Sequence, residues 1–145
     1  MKEMTYLPHR LKKPEILLDT WEEGLRIVIL SLGTHPCAYV GIPENHLLAG
    51  VDYHDLDCLI DCHGGLTFSA KGDGKYLPEG LWWYGWDYAH HGDWVGYYGK
   101  REEKLGWKKW TTKEIYEEAK WVAWIFRKLM DLIERIVSQS HEERR

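Results

Sequence analysis

Between Thr111 and Ser138 the chain alternates apolar and charged residues at the period of an α-helix, and no other segment constrains the fold as much. Thr111-Thr-Lys-Glu114 matches a capping box, in which the threonine side chain caps an amide at the helix start and the glutamate reaches back to it. Beyond the cap, Ala119, Val122, Phe126, Leu129, Ile133 and Ile136 recur at spacings of three and four. That spacing lines up one apolar stripe along a helix of about 25 residues. Trp121, Ile125 and Leu132 widen the stripe, while Glu118, Arg127, Asp131 and Glu134 lie outside it. Such a stripe needs a core to cover it, and its width leaves room for a homo-oligomer. The charged residues 139–145 are expected to fray.

The cover must come from strands upstream. Leu25-Arg-Ile-Val-Ile-Leu-Ser-Leu32 is rich in β-branched residues and ends at Gly33, so it reads as a strand. Turn chemistry at Gly33-Thr-His-Pro36 leads into Cys37 to Ile42 as its antiparallel return. Further strands are predicted over Leu56–Cys62, Leu66–Ala70 and Leu81–Asp87, with a glycine- and tyrosine-rich loop from His90 to Gly106. Residues 1–24, broken by Pro8 and Pro14, read as an arm with a short element near Ile16 to Trp21. The expectation is one α+β domain over residues 1–145: a small antiparallel sheet and its loops over 25–110, packed against one long helix over 111–138.

Composition narrows the function classes. The net charge is −4 and no basic stripe is present, which argues against nucleic acid as a partner. The longest apolar run, Leu25 to Leu32, is interrupted by Arg26 and is far too short to cross a bilayer. No basic stretch followed by an apolar one opens the chain, so the expected location is cytoplasmic. Three cysteines, an odd number, then read as reduced, partly buried thiols, with Cys58 and Cys62 in the core.

The chemistry concentrates in two segments. Read as a strand, Asp55-Leu-Asp-Cys-Leu-Ile-Asp-Cys-His63 sets Asp55, Asp57, Leu59, Asp61 and His63 on one face, against Leu56, Cys58, Ile60 and Cys62 on the other. The second segment, Trp82-Trp-Tyr-Gly-Trp-Asp-Tyr-Ala-His-His-Gly-Asp93, gathers Asp87, His90, His91 and Asp93 beside aromatic side chains. The chain has 9 Trp and 9 Tyr but 2 Phe, so most of its rings carry a polar tip suited to a core or to a stacking pocket. A strand with Trp82 and Trp86 on one face and Trp83 on the other would need both faces buried to make every ring core. One helix covers one face, so Trp83, on the same face as Asp87, is expected to line a pocket. Asp61, His63, Asp87, His90 and Asp93 are also the residue types that hold zinc, manganese or iron, although no spacing here matches a known metal motif. Neither Gly64-Gly65 nor Gly72-Asp-Gly74 opens a helix as a phosphate loop does, and no serine sits in a nucleophile elbow.

Three blocks carry a resemblance. Tyr39-Val-Gly-Ile-Pro-Glu-Asn-His46, Asp61-Cys-His-Gly-Gly-Leu-Thr-Phe-Ser69 and Trp83-Tyr-Gly-Trp-Asp-Tyr-Ala-His-His-Gly-Asp93 resemble a family of small bacteriophage and prophage proteins. Trp86 stands where that family has its second phenylalanine and Tyr88 where it has a cysteine, so no catalytic thiol is expected at that position. The resemblance implies a phage-encoded protein working in host cytoplasm, and it ties His63, Asp87, His90 and Asp93 together as one polar set.

Two functional readings follow. The first is a binding protein that sequesters a nucleotide-derived ligand such as a host defence signal, without a cofactor, through His63, Gly64, Gly65, Thr67, Trp83, Asp87, His90 and Asp93. The second is a metal-dependent hydrolase of a phosphodiester or N-glycosidic bond, with a divalent ion held by the Asp and His residues. A structural or regulatory phage protein is the plainer alternative.

Overall fold

The computed structural model describes residues 14–32, 35–95, 102 and 104–143; most of the expected N-terminal arm, residues 1–13, lies outside them. What remains of that arm is a full strand, β1 (Glu15–Glu22), joined to β2 (Leu25–Ser31) by the two residues Glu23 and Gly24. Both have positive φ, at 54° and 73°, the requirement of a type I′ hairpin turn whose twist matches that of the strands. β3 (Pro36–Pro43), β4 (Phe68–Lys71) and β5 (Leu81–Asp87) follow, and the helix α2 runs from Thr112 to Glu143. The strands form one antiparallel sheet in the order β1-β2-β3-β5-β4. The fold is therefore the expected α+β sheet-and-helix arrangement. The helix continues through residues expected to fray, as far as Glu143.

The sheet buries both faces. Leu25, Ile27, Ile29, Ala38, Val40, Ile42, Tyr84 and Trp86 meet Ile115, Ala119, Val122, Phe126 and Met130 of α2. On the opposite face Val28, Leu30, Cys37, Tyr39, Leu77 and Trp83 form a second core, with Phe68, Tyr76 and Leu81 packed against it. The cover for this face comes from the loop between β4 and β5, which Asp73 holds by accepting the amides of Lys75, Tyr76 and Leu77. Trp83 is accordingly fully buried, its indole N–H donating to the Pro78 carbonyl at 3.0 Å. The expectation that Trp83 lines a ligand pocket is overturned: a loop covers the face that no helix reaches.

Glycines make this second core possible. Gly41 pairs with Trp83 and Gly85 with Tyr39 across β3 and β5. A Cβ on Gly41 would stand 3.0 Å from the Trp83 ring, and one on Gly85 would stand 2.5 Å from that of Tyr39. Each ring thus lies on the bare backbone of its partner strand.

A second correction concerns Leu56 to Cys62, which is not a strand. Asp52 caps the short helix α1 (Tyr53–Leu56), and the chain then turns without regular structure. Leu56 and Ile60 are both buried. Their spacing of four suits a helical turn as well as a strand, and period-two alternation was the wrong choice between them. Cys37 and Cys62 are buried, but Cys58 is exposed, against the expectation that it packs in the core with Cys62; none is in a disulfide.

Two measurements test this packing. Trp83→Ala should lose about 3–5 kcal/mol of stability in urea unfolding, the range for removing a buried aromatic ring. Burial pushes the Cys37 and Cys62 thiols up to about 12, so a thiol reagent at neutral pH should titrate Cys58 alone in the folded protein and all three cysteines in denaturant.

Candidate functional site

At the end of β5 the strand alternation separates two neighbours. Asp87 stays on the loop-covered face, while Tyr88 turns its ring into the core beneath α2. Its hydroxyl donates to Glu118 of α2, and the Trp86 indole N–H donates to the same Glu118 oxygen at 3.0 Å. The backbone N–H of His63 makes a third bond to that oxygen, at 3.2 Å. Glu118 therefore anchors His63 to the helix. The His63 ring stacks on Tyr88 with centroids 4.7 Å apart and planes within 5°.

Past Tyr88 the chain closes a turn, with the Asp93 N–H donating to the His90 carbonyl at 2.8 Å and Gly92 at φ 94°. This turn is clasped to the segment leading into α2: Lys108 N–H donates to Gly92 O and Trp94 N–H to Lys108 O, both at 2.8 Å. The turn also aims the Asp93 carboxylate inward, where it is buried. There it accepts the His63 Nε2–H at 2.7 Å, the His90 backbone N–H at 2.9 Å and the Trp110 indole N–H at 2.8 Å. Burial pushes the Asp93 pKa up, but the His63 ring and the other donors outweigh it. The carboxyl is held below its ordinary range and stays ionised.

His90 stands between the two carboxylates. Its Nε2 lies 3.6 Å from Asp87 Oδ1 and its Nδ1 3.4 Å from Asp93 Oδ2. Nδ1 is buried and has no hydrogen-bond partner among the described residues. The ring lies against Gly64, where an added Cβ would come within 2.2 Å of it. Gly64, at φ 72°, is thus required both for the turn after His63 and for the space His90 fills.

Of the residues singled out in the sequence, His63, His90 and Asp93 converge: one ligand-type atom from each lies within 4.8 Å of the others. Asp87 joins at the outer side, through His90 and through the Thr67 hydroxyl, which donates to it at 3.3 Å. Asp61 is exposed and outside this group. The N–H of Gly65, one of the residues expected to bind a ligand, is spent on the Cys62 carbonyl at 2.9 Å. Asp57, expected on the polar face of a strand, instead closes the loop by accepting the Leu66 N–H at 2.7 Å. A groove of about 310 Å³ lined by His46, Leu47, Ile133 and Val137 shares no residue with the cluster.

Sequence reasoning missed Glu118, Trp110 and His35. Glu118 had a signal, since it precedes Ala119 at the border of the apolar stripe. His35 is half-buried, and its pKa is lowered, by burial first and by the charge of His90, against the pull of Asp87 and Asp93. No protein-family model, curated protein or solved structure matches the chain.

The titrations of His35 and Asp93 set a pH dependence. A folded His35 that resists protonation leaves the unfolded chain holding more protons below pH 6.5, so stability should fall as pH drops through that value. Asp93, depressed from 3.8, adds a further loss only below that pH. Urea midpoints between pH 7.5 and 5 should decline less steeply in His35→Gln than in the wild type; equal slopes would contradict the assignment.

Proposed function

We propose that the chain is a metal-dependent hydrolase of a small nucleotide-derived molecule, working in the cytoplasm, with His63, His90 and Asp93 holding a divalent transition-metal ion. The observation that carries this reading is the orphaned, buried Nδ1 of His90, 3.4 Å from an ionised Asp93 oxygen. Asp87 beside Nε2 favours the tautomer with its proton there, which leaves the Nδ1 lone pair facing a negative charge. A cation between them removes the repulsion and gives the lone pair a partner. Shortening of the 3.6 Å Asp87–Nε2 contact to hydrogen-bond length would make Asp87 the carboxylate that orients a ligating histidine from behind.

Distances support it. Metal bonds of 2.0–2.2 Å place tetrahedral donors roughly 3.3 Å apart, which matches the 3.4 Å from His90 to Asp93, whereas the 2.7 Å hydrogen bond from His63 to Asp93 has to open for an ion to enter. Two histidines and one carboxylate suit zinc, manganese or iron and leave positions open for water. A bound ion of this kind lowers the pKa of its water towards 7 and supplies hydroxide for hydrolysis. The cytoplasmic setting, and a phage origin with it, rests on the resemblance and on the unpaired thiols. Among the described residues no helix is long and apolar enough to cross a membrane.

One observation favours ligand sequestration without metal: Asp93 already accepts three N–H donors, so its loop is braced with no ion. Titration separates the two readings. Zinc or manganese should bind one ion per chain, with micromolar or tighter affinity that rises with pH, because protons compete with the metal for its ligands. His90→Gln should abolish binding, and Gly64→Ala, which displaces the His90 ring, should weaken it at least tenfold. Absence of binding by the wild type, together with nucleotide binding that persists in chelator, would establish the sequestering reading instead.

A further inference from the structure

We infer that the protein forms an antiparallel homodimer through a second apolar stripe on α2. This stripe is separate from the face that covers the sheet. Trp121 is 51% exposed, Leu132 45% and Ile136 56%, and Ile125 between them is half-buried. At 100° per residue these four fall within about 60° of one another, some 110° round the helix from the buried row of Ala119, Val122, Phe126 and Met130. Trp124, 42% exposed, stacks on Trp121 at the border of the stripe, with ring centroids 5.3 Å apart and planes 14° apart.

A second copy is the occupant that the pattern fits, because the stripe is complementary to itself when reversed. With the two-fold axis beside Lys128 and Leu129, Trp121 of one copy faces Ile136 of the other, and Ile125 faces Leu132. The large rings at one end of the stripe meet the aliphatic residues at the other, twice over, as an isologous contact requires. The charges agree with this register. Lys128, Asp131 and Arg135 lie on one flank, and in an antiparallel pair that flank faces its own copy. Lys128 of one chain then comes opposite Asp131 of the other, and Arg135 opposite the stacked tryptophans, an arrangement for a cation over aromatic rings. A parallel pair would turn this flank towards the other edge of the stripe, at Leu129 and Ile133, where Lys128 meets no carboxylate.

The area suffices. Covering these apolar side chains and the stems of the flanking Lys and Arg on both copies removes on the order of 1,000 Å² from water, the lower bound for a specific interface. The His63, His90 and Asp93 cluster, beyond the end of β5, contributes nothing to this surface.

The experiment combines mass measurement with cross-linking. At tens of micromolar, light scattering after size exclusion should give twice the chain mass for the wild type and the single-chain mass for Leu132→Glu and, independently, Trp121→Ala. Their far-UV circular dichroism should remain that of the wild type, since both side chains are half-exposed. In a Cys58→Ser background, Lys128→Cys should form an interchain disulfide on mild oxidation and Ile136→Cys should not, because residue 136 lies about 20 Å from its own copy in the antiparallel register. A monomeric wild type at 100 µM would overturn the proposal, as would a dimer unaffected by both interface substitutions. Cross-linking through Ile136→Cys would overturn the antiparallel register.

Discussion

One carboxylate, that of Glu118, joins the three parts of this molecule. It accepts from Trp86 at the end of β5, from the Tyr88 hydroxyl just beyond it and from the backbone of His63 in the preceding loop. A carboxylate packed among aromatic rings loses much of its hydration, and hydrogen bonds to charged groups are the ones strong enough to offset that. The Tyr88 hydroxyl remains a donor because burial, and then the Glu118 charge, drive its pKa well above the usual tyrosine value. Helix, sheet and site loop are thereby held at one point. The stacking of His63 on Tyr88, and through it the position of Asp93, depend on that point.

From there the structure builds outward in two directions. Towards the sheet, a strand pair with glycine opposite each large ring lets Trp83 and Tyr39 lie flat, and a loop closes over them. The sheet then has two cores, and β2 reads as a nearly unbroken apolar run because both its faces are inside. Towards the solvent, the turn from His90 to Asp93 and the glycines at 64 and 92 bring three ligand-type side chains together, while Asp87 holds the outer edge. The polar cluster is built from chain segments about thirty residues apart, and both are fastened to residues of, or just before, the long helix.

How much of this was legible follows from the range of each interaction. The helix, the β2–β3 hairpin and β5 could be read because capping, turn chemistry and side-chain period are local: residues within four positions determine them. Leu56 to Cys62 is ambiguous in sequence because apolar residues four apart satisfy both periods, and only the cap at Asp52 and the core above Leu56 decide for a helical turn. The polar set His63, Asp87, His90 and Asp93 was visible as chemistry, but its partition was not. Asp93 became the buried acceptor, His90 the ring between two carboxylates and Asp87 the outer partner, assignments made by the turn at residues 90–93.

Trp83 marks the boundary between the two kinds of information. By itself the sequence determined that Trp82 and Trp86 share one face of a strand and Trp83 the other, since alternation is a property of the extended backbone. Whether that other face met solvent, a ligand or protein was decided only by the loop from Gly72 to Gly80 folding back across it. Glu118 is the matching case: local period placed it at the edge of an apolar stripe, and only the approach of Trp86, Tyr88 and His63 made it the anchor of the site. Period and capping are written in neighbouring residues, whereas the cover of a face and the partners of a buried charge come from residues distant in the chain, whose meeting no local pattern encodes.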